Sequence, residues 1–142
     1  MKLSTRGRYG TRLMLELALR YDDGPVFLKD ISSSQDISLK YLGQLIIPLK
    51  IGGLIKSTRG SHGGYFLSRP PEKIKLSEIL SAVEGSLDIA ECIKSPDICH
   101  RSKNCVAREI WEEASKKFYE VFQSITLKDM ITRQMEKESR IS

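Results

Sequence analysis

The segment 38–67 constrains the fold of this chain more than any other, because a helical pattern in it runs directly into two short strand patterns. Its apolar residues recur at three- and four-residue spacing, which places them on one side of a helix. They are Leu39, Leu42, Leu45, Ile46 and Leu49. Ser38 stands at the N-cap position. Strand patterns follow at 54–57 and 65–67 around the glycine-rich loop 59–64. The segment therefore predicts a helix followed by a β-hairpin.

Two helical patterns precede this segment, and the second of them forms a helix-turn-helix with the third helix. The first carries Leu13, Leu17 and Tyr21 on one face and ends at the turn 22–25, and the second covers about 28–35. A fourth pattern, 76–83, is expected to support the hairpin. Pro48 lies inside the third helix and costs about 3 kcal/mol in a helix interior, so we expect that helix to kink or end there. The predicted fold is mainly α with a small β-wing, a winged helix-turn-helix followed by a long C-terminal helix.

The charge of the chain is divided unevenly along its length. Residues 1–71 carry 11 basic and 5 acidic side chains, whereas residues 72–142 carry 12 and 13. The segment 38–71 holds no Asp or Glu at all. A phosphate backbone would meet no like charge there, so double-stranded DNA is the expected partner of the first half.

The outward side of the third helix and the loop of the hairpin supply the candidate DNA contacts. Gln44 is the best candidate for reading a base edge, plausibly adenine, and the loop glycines let backbone N–H groups approach phosphates. His62 is interpreted as a wing-tip residue near a phosphate or water rather than a metal ligand. The predicted DNA-binding residues are Ser38, Lys40, Tyr41, Gln44, Arg59, Ser61, His62, Gly63 and Gly64.

Three cysteines, Cys92, Cys99 and Cys105, lie in a polar segment, with six and then five residues between them. Free cysteines are often small buried hydrophobes, but clustering in a polar segment favours a soft-metal site. Thiolates there would be stabilised by the positive end of a helix beginning near Asn104. Zinc sites usually show paired C-x-x-C motifs, and the wider spacing here better suits an iron-sulfur cluster, although spacing alone leaves both open.

An apolar stripe beyond the cysteines predicts a helix too long for this chain to bury alone. The stripe comprises Val106, Ile110, Ala114, Phe118, Val121, Phe122 and Ile125. Packing against the same helix of a second subunit would cover it, so we expect a homodimer. The remaining residues, 129–142, are expected to be a polar tail that frays. No apolar run reaches the roughly 20 residues of a membrane span, and the polar N-terminus lacks a signal-peptide core, so a cytoplasmic protein with no membrane partner is expected.

The chain resembles the winged-helix transcription regulators of the IscR and NsrR type, the Rrf-two family, to which RirA also belongs. The resemblance covers nearly the whole chain. It rests on MKLSTRGRYG, ISLKYLGQLIIPLKIGGLIKSTRGSHGGY, the three cysteines and ITLKDM. It implies a homodimer joined by the long helices and a recognition helix in each successive major groove. It also implies an iron-sulfur cluster held by Cys92, Cys99 and Cys105, for which 2Fe-2S is favoured and 4Fe-4S stays open.

The chain departs from this family at its fourth-ligand positions. Arg108 stands where the IscR type carries a histidine ligand, and Arg8 replaces the N-terminal carboxylate of NsrR. Two sources of a fourth ligand stay open: His100, and a ligand from outside or from the partner subunit. Gly43 and Lys40 also differ from common family residues, so the preferred operator is expected to differ.

These observations predict three segments and one main function. Residues 1–85 are the expected DNA-binding domain, 86–105 the cluster-binding loop, and 106–142 the dimerisation helix and C-terminal tail. The predicted function is a dimeric transcription regulator, a repressor, that senses iron-sulfur status, iron, redox state or nitric oxide. The alternative is a cluster-free regulator of sulfur or cysteine metabolism controlled through a protein partner. A cysteine-nucleophile enzyme is disfavoured, because only two histidines and no oxyanion device accompany the cysteines.

Overall fold

Seven α-helices and a two-stranded sheet form the part of the chain that the computed structural model describes, residues 2–61 and 63–141. The helices are α1 Thr5–Leu19, α2 Leu28–Gln35, α3 Leu39–Ile51, α4 Leu76–Glu84, α5 Glu91–Lys94, α6 Val106–Gln123 and α7 Leu127–Ile141. The strands are β1 Ile55–Thr58 and β2 Gly64–Leu67. The predicted fold class, mainly α with a small β-wing, is confirmed.

The helix-turn-helix consists of α2 and α3, joined by a tight turn. Asp36 ends α2 in the left-handed conformation with φ 54°, and the Ser38 hydroxyl accepts the backbone N–H of Tyr41 at 3.1 Å to cap α3. Helix α3 does not end at Pro48, which was one of the two predicted outcomes. Pro48 lies in the last turn, where its carbonyl still accepts the N–H of Gly52 at 2.9 Å, so the helix continues to Ile51.

The wing is an antiparallel hairpin attached to the segment that follows α1. Its register pairs Ile55 with Leu67 and Thr58 with Gly64. Val26 and Tyr65 exchange two backbone hydrogen bonds, each 2.8 Å long, which add a one-residue bridge to the outer side of β2. The predicted strands are confirmed with their boundaries shifted by one residue. The bridge holds the wing against the helical body.

Helix α1 lies at the centre of the core and packs against α2, α3, α4 and α7. Leu13, Leu42, Ile79 and Leu127 are fully buried and come from four different helices. The core contains helices from both ends of the chain. The helix-turn-helix and the C-terminal helix α7 therefore form one packed unit.

The C-terminal segment is a helix and not the fraying tail that was expected. Leu127 is fully buried, and Met130 and Ile131 pack against the core. The connection before α7 pairs with the segment before α4, because Leu76 donates to the carbonyl of Ile125 and Leu127 donates to that of Ile74. Apolar residues three and four apart are enough to dock an otherwise polar helix. Among the described residues, no helix is both long and apolar enough to cross a membrane.

Candidate nucleic-acid interface and cysteine loop

Helix α3, the predicted recognition helix, presents exposed polar side chains and no acidic residue to solvent. Lys40 and Gln44 are exposed, and Tyr41 is half-buried. Leu42, Leu45, Ile46 and Leu49 lie in the core as predicted. Leu39 was expected to belong to the same stripe but is 52% exposed, because it occupies the first helical position directly after the cap. The face that would meet a groove therefore also carries one leucine.

The wing loop presents side chains at its tip and close backbone packing at its base. Arg59 and Ser61 are exposed. A Cβ added at Gly63 would lie 2.6 Å from the Thr58 carbonyl oxygen, and one at Gly64 would lie 2.6 Å from that of Val26. Gly63 is thus required by close backbone approach within the hairpin, and Gly64 by the approach of the Val26 backbone. His62, a predicted contact, lies outside the described residues.

Helix α1 adds an aromatic and basic cluster beside α3 that the sequence analysis missed. The rings of Tyr9 and Tyr41 meet edge to face, with centroids 5.7 Å apart and an interplanar angle of 89°. The guanidinium carbons of Arg12 and Arg8 lie 5.2 and 5.8 Å from the Tyr9 centroid. The four-residue spacing of the two arginines was the available signal, since such residues are neighbours on a helix.

A buried carboxylate fixes this cluster to the end of α2. Glu16 is only 7% exposed, and its Oε1 accepts hydrogen bonds from Ser34 Oγ and Gln35 Nε2, each 2.8 Å long. Its Oε2 accepts the Nε of Arg20 at 3.1 Å. Arg12 Nε donates to Gln35 Oε1 at 2.9 Å, and Arg12 Nη2 donates to the Gln35 carbonyl. These contacts join α1 to the turn of the helix-turn-helix.

The segment that carries the cysteines is ordered into short helical pieces. Cys92 lies in α5, Cys99 follows a 3-10 turn at Pro96–Ile98, and Cys105 caps α6 after a second turn at Ser102–Asn104. All three are half-buried free thiols. The predicted loop therefore leads directly into the first turn of the long helix.

Arg108 connects two of the three cysteine positions. Its backbone N–H donates to the Cys105 sulfur at 3.4 Å, and its Nε donates to the backbone carbonyl of Cys92 at 3.0 Å. Its Nη1 lies 3.8 Å from Glu112 Oε2. The residue that stands where a histidine ligand was expected is therefore used as a link between α5 and α6.

The donor chemistry of the cysteine loop fits a soft metal or an iron-sulfur cluster, because three thiols lie within fourteen residues. The three thiols are not arranged as the ligands of one metal site. Among the described residues, no three His, Cys, Asp or Glu side chains converge on a common point for a metal. His100 is exposed and lines one surface depression with half-buried Cys99 and another with half-buried Cys105.

Helix α6 leaves much of its apolar stripe uncovered in a single chain. Val106 is 70% exposed, Ile110 51% and Val121 54%. Trp111 and Phe118 are also exposed at the edge of the same stripe. Residues three and four apart are neighbours on a helix, so these side chains form one continuous apolar surface beside the cysteine loop.

Comparison with known proteins gives consistent matches over most of the chain. Residues 3–133 match the model of the Rrf2 family, described as an iron-dependent transcriptional regulator. The chain is 42% identical over 131 residues to the protein rrf2 of Nitratidesulfovibrio vulgaris, an alignment that covers 92% of this chain and 87% of that protein.

Two solved structures share the fold at similar levels of sequence identity. IscR of T. potens superposes with a TM-score of 0.80 at 40% identity, covering 96% of this chain and 90% of that one. CymR, described as the global cysteine regulator of B. subtilis, superposes with a TM-score of 0.78 at 37% identity, covering 94% and 98%. The similarity to the two is nearly equal, so it does not separate the predicted function from its alternative.

Proposed function

The chain belongs to the Rrf2 family of transcriptional regulators, and we propose that it is a dimeric DNA-binding repressor whose operator affinity is gated by an iron-sulfur cluster. The observation that carries the proposal is the position of the cysteines. Cys92, Cys99 and Cys105 are half-buried free thiols. They lie in the segment that leads into helix α6, whose apolar stripe is exposed. A change at these thiols therefore acts directly on the helix proposed to join the two subunits.

DNA is the partner proposed for residues 1–85. The exposed face of α3 carries Lys40 and Gln44, and the wing tip carries Arg59 and Ser61, without an acidic residue between 38 and 71. Arg and Lys neutralise phosphates, while an amide such as that of Gln44 pairs with adenine in the major groove. Helix α3 is the proposed reader of sequence and the wing the proposed backbone contact.

The dimer interface is proposed to lie along α6, within the segment 106–142. The uncovered side chains of Val106, Ile110 and Val121 would pack against the same helix of a second copy, which closes a two-fold dimer. Two recognition helices in successive major grooves read half-sites roughly 34 Å apart. The distance between the two α3 helices then decides whether both fit the operator.

Cys92, Cys99 and Cys105 are the residues proposed to hold the cluster, with His100 or a ligand from outside the chain as the fourth. When bound, a cluster would supply iron-sulfur bonds that respond to oxygen, iron supply or nitric oxide. The chain provides the coupling to α6. Cys105 caps this helix and Arg108 ties its first turn to the carbonyl of Cys92, so rearrangement of 86–105 would alter the start of α6.

The proposal is tested by anaerobic purification with visible absorption and iron and sulfide assays. We expect a coloured protein with stoichiometric sulfide, of the 2Fe-2S type, and loss of colour when the three cysteines are replaced by alanine. Operator affinity should respond to cluster loss in the wild type only. Bleaching of His100→Ala would identify His100 as the fourth ligand, and unchanged colour would favour an external one. An equal response of operator affinity in the wild type and the triple variant would contradict the proposal.

A cluster-free regulator of sulfur or cysteine metabolism is the second candidate. It is supported by the likeness to CymR and by the lack of a preassembled donor group among the described residues. In this case a protein partner would report the metabolic state. Protein that stays colourless and iron-free after anaerobic reconstitution, yet binds its operator, would favour this candidate over the first.

A further inference from the structure

We propose that Arg12 on α1 is a positioning residue for DNA recognition, which sets the orientation of Tyr41 in the recognition helix through Gln35 and Tyr9. The inference rests on the proposed DNA-binding function and deepens it, because it assigns part of the specificity to a helix outside the helix-turn-helix. Its basis is a continuous set of contacts from a buried carboxylate to the groove-facing side of α3.

The first half of this set holds Arg12 in one place. The side-chain amide of Gln35 bridges Glu16 and Arg12. Its Nε2 donates to buried Glu16 at 2.8 Å, and its Oε1 accepts from Arg12 Nε at 2.9 Å. Arg12 Nη2 also donates to the Gln35 carbonyl. Two N–H groups of one planar guanidinium thus bind one residue, which a lysine ammonium on a flexible stem does not reproduce.

The second half transfers this position to the recognition helix. The Arg12 guanidinium lies over the face of Tyr9, 5.2 Å from its centroid, and the Tyr9 ring meets Tyr41 edge to face at 5.7 Å. A cation over a ring and an edge-to-face ring pair both depend on orientation. Tyr41 is in the first turn of α3, directly after Lys40. Movement of Arg12 would therefore release the side chain of Tyr41 at the end of α3 that approaches DNA.

Arg12 is an exposed cation, so a direct phosphate contact is the competing role, and the salt dependence of binding separates the two. A lost phosphate contact weakens all sequences equally and lowers the slope of log affinity against log salt by about one. A lost positioning contact leaves the number of neutralised phosphates unchanged and weakens only the correct sequence.

The experiment uses the full chain and two DNA duplexes of equal length. One is the consensus that the wild-type protein selects from a random-sequence library, and the other is its scrambled form. For Arg12→Met we expect affinity for the selected duplex to fall about tenfold, with the scrambled duplex and the salt slope unchanged. Gln35→Leu removes the side-chain acceptor of Arg12 but keeps the backbone carbonyl, so it should cause a smaller loss in the same direction. The double variant should lose little more than Arg12→Met, because both substitutions act on the same link.

Arg20→Met is the matched control. It removes one charge directly after the end of α1 and one contact to the Glu16 carboxylate that also binds Gln35, but it leaves Gln35 and Tyr9 in place. Its ratio of affinities for the two duplexes should equal that of the wild type, whatever its stability. Equal weakening of both duplexes by Arg12→Met with a lower salt slope, or the same loss of discrimination in Arg20→Met, would overturn the proposal. A wild-type protein that selects no sequence would instead contradict the DNA-binding function itself.

Discussion

Glu84 near the end of α4 caps the first turn of α1, and Gly7 allows the two helices to approach closely enough. The Glu84 Oε1 accepts the backbone N–H groups of Ser4 at 2.9 Å and Gly7 at 3.0 Å. A Cβ at Gly7 would overlap this oxygen and lie 3.1 Å from the Glu84 Cγ. One carboxylate thereby satisfies N–H groups that a helix start leaves without partners.

Gly7→Ala should therefore destabilise the protein by about 1–2 kcal/mol, because the carboxylate must leave the N–H groups it accepts. Gly43→Ala is the control on another helix. It has open space around its Cβ position, and replacing a helical glycine should add about 0.5–1 kcal/mol to the free energy of unfolding. Urea unfolding of the two variants measures both values. Equal effects of the two substitutions would show that the contact with Glu84 does not decide the outcome.

Ser38 allows the two roles predicted for it, helix cap and DNA contact, to be separated. Ser38→Ala removes the acceptor of the Tyr41 N–H and should cost about 1 kcal/mol of stability. Ser38→Asp keeps an acceptor at the cap, so its unfolding midpoint should match the wild type, but its new charge would face phosphates and weaken DNA binding. Denaturant unfolding and fluorescence anisotropy with the selected duplex measure the two effects. Wild-type DNA affinity in Ser38→Asp would remove this position from the interface.

Helix α7 owes its beginning to a reciprocal pair, and the pair predicts a response to acid. The backbone N–H of Thr126 donates to Asp129 Oδ2 at 2.9 Å, and the N–H of Asp129 donates to Thr126 Oγ1 at 3.1 Å. Hydrogen bonding to the Thr126 backbone N–H, and next to its side chain, lowers the pKa of Asp129 below 3.8. Desolvation opposes this effect, and the charge of Arg133 adds the least to it.

Because the folded pKa is the lower one, the stabilisation by Asp129 is fully present above about pH 3.8 and is lost as the pH falls through the folded pKa. We expect an NMR titration to place the Asp129 carboxyl below its ordinary value. Thr126→Ala should raise the pKa of Asp129 part of the way back, because the backbone N–H remains. An unshifted carboxyl in the wild-type protein would show that the pair does not form in solution.

The elements that could be predicted from the sequence have regular apolar spacing or clear turn residues at their ends. The bounds of α2 and the end of α4 were predicted within a residue, because turn residues and a glycine mark them. Helix α7 was missed, because most of its residues are polar and only Leu127, Met130 and Ile131 pack in or against the core. Of the two outcomes predicted at Pro48, a kink or an end, the end is wrong, because a proline in the last turn removes a single donor and the helix continues to Ile51.

The whole molecule is proposed to be a dimer through α6, and single charges on this helix test it. Ile110→Glu places a carboxylate in the uncovered apolar surface and should shift the protein from dimer to monomer at micromolar concentration, with loss of operator binding. Gln123→Glu introduces the same charge change at an exposed polar position of the same helix. It should leave the dimer intact. Sedimentation velocity measures both, and a dimeric Ile110→Glu protein would contradict the interface.

For the whole molecule, the uneven distribution of charge predicted which half of the chain carries the candidate DNA face. Charges can be counted along a sequence without knowing the fold. The cluster of Arg12, Tyr9 and Tyr41 could not be predicted in the same way. It depends on how α1 crosses α3, which only the packed core determines. The link from Arg108 to the Cys92 carbonyl is similar, because a backbone acceptor sixteen residues away leaves no mark in the sequence pattern.

The position of Cys105 has a practical consequence for following this protein in solution. Its sulfur accepts the N–H of Arg108 and so forms part of the first turn of α6. An alkylating reagent can modify a capping sulfur most readily when that turn has opened. We therefore expect the rate of Cys105 alkylation in the metal-free protein to report how often the first turn of α6 opens. The alkylation rates of Cys92 and Cys99 serve as the comparison. A native thiol thus reports the opening of the proposed subunit interface without an introduced reporter residue.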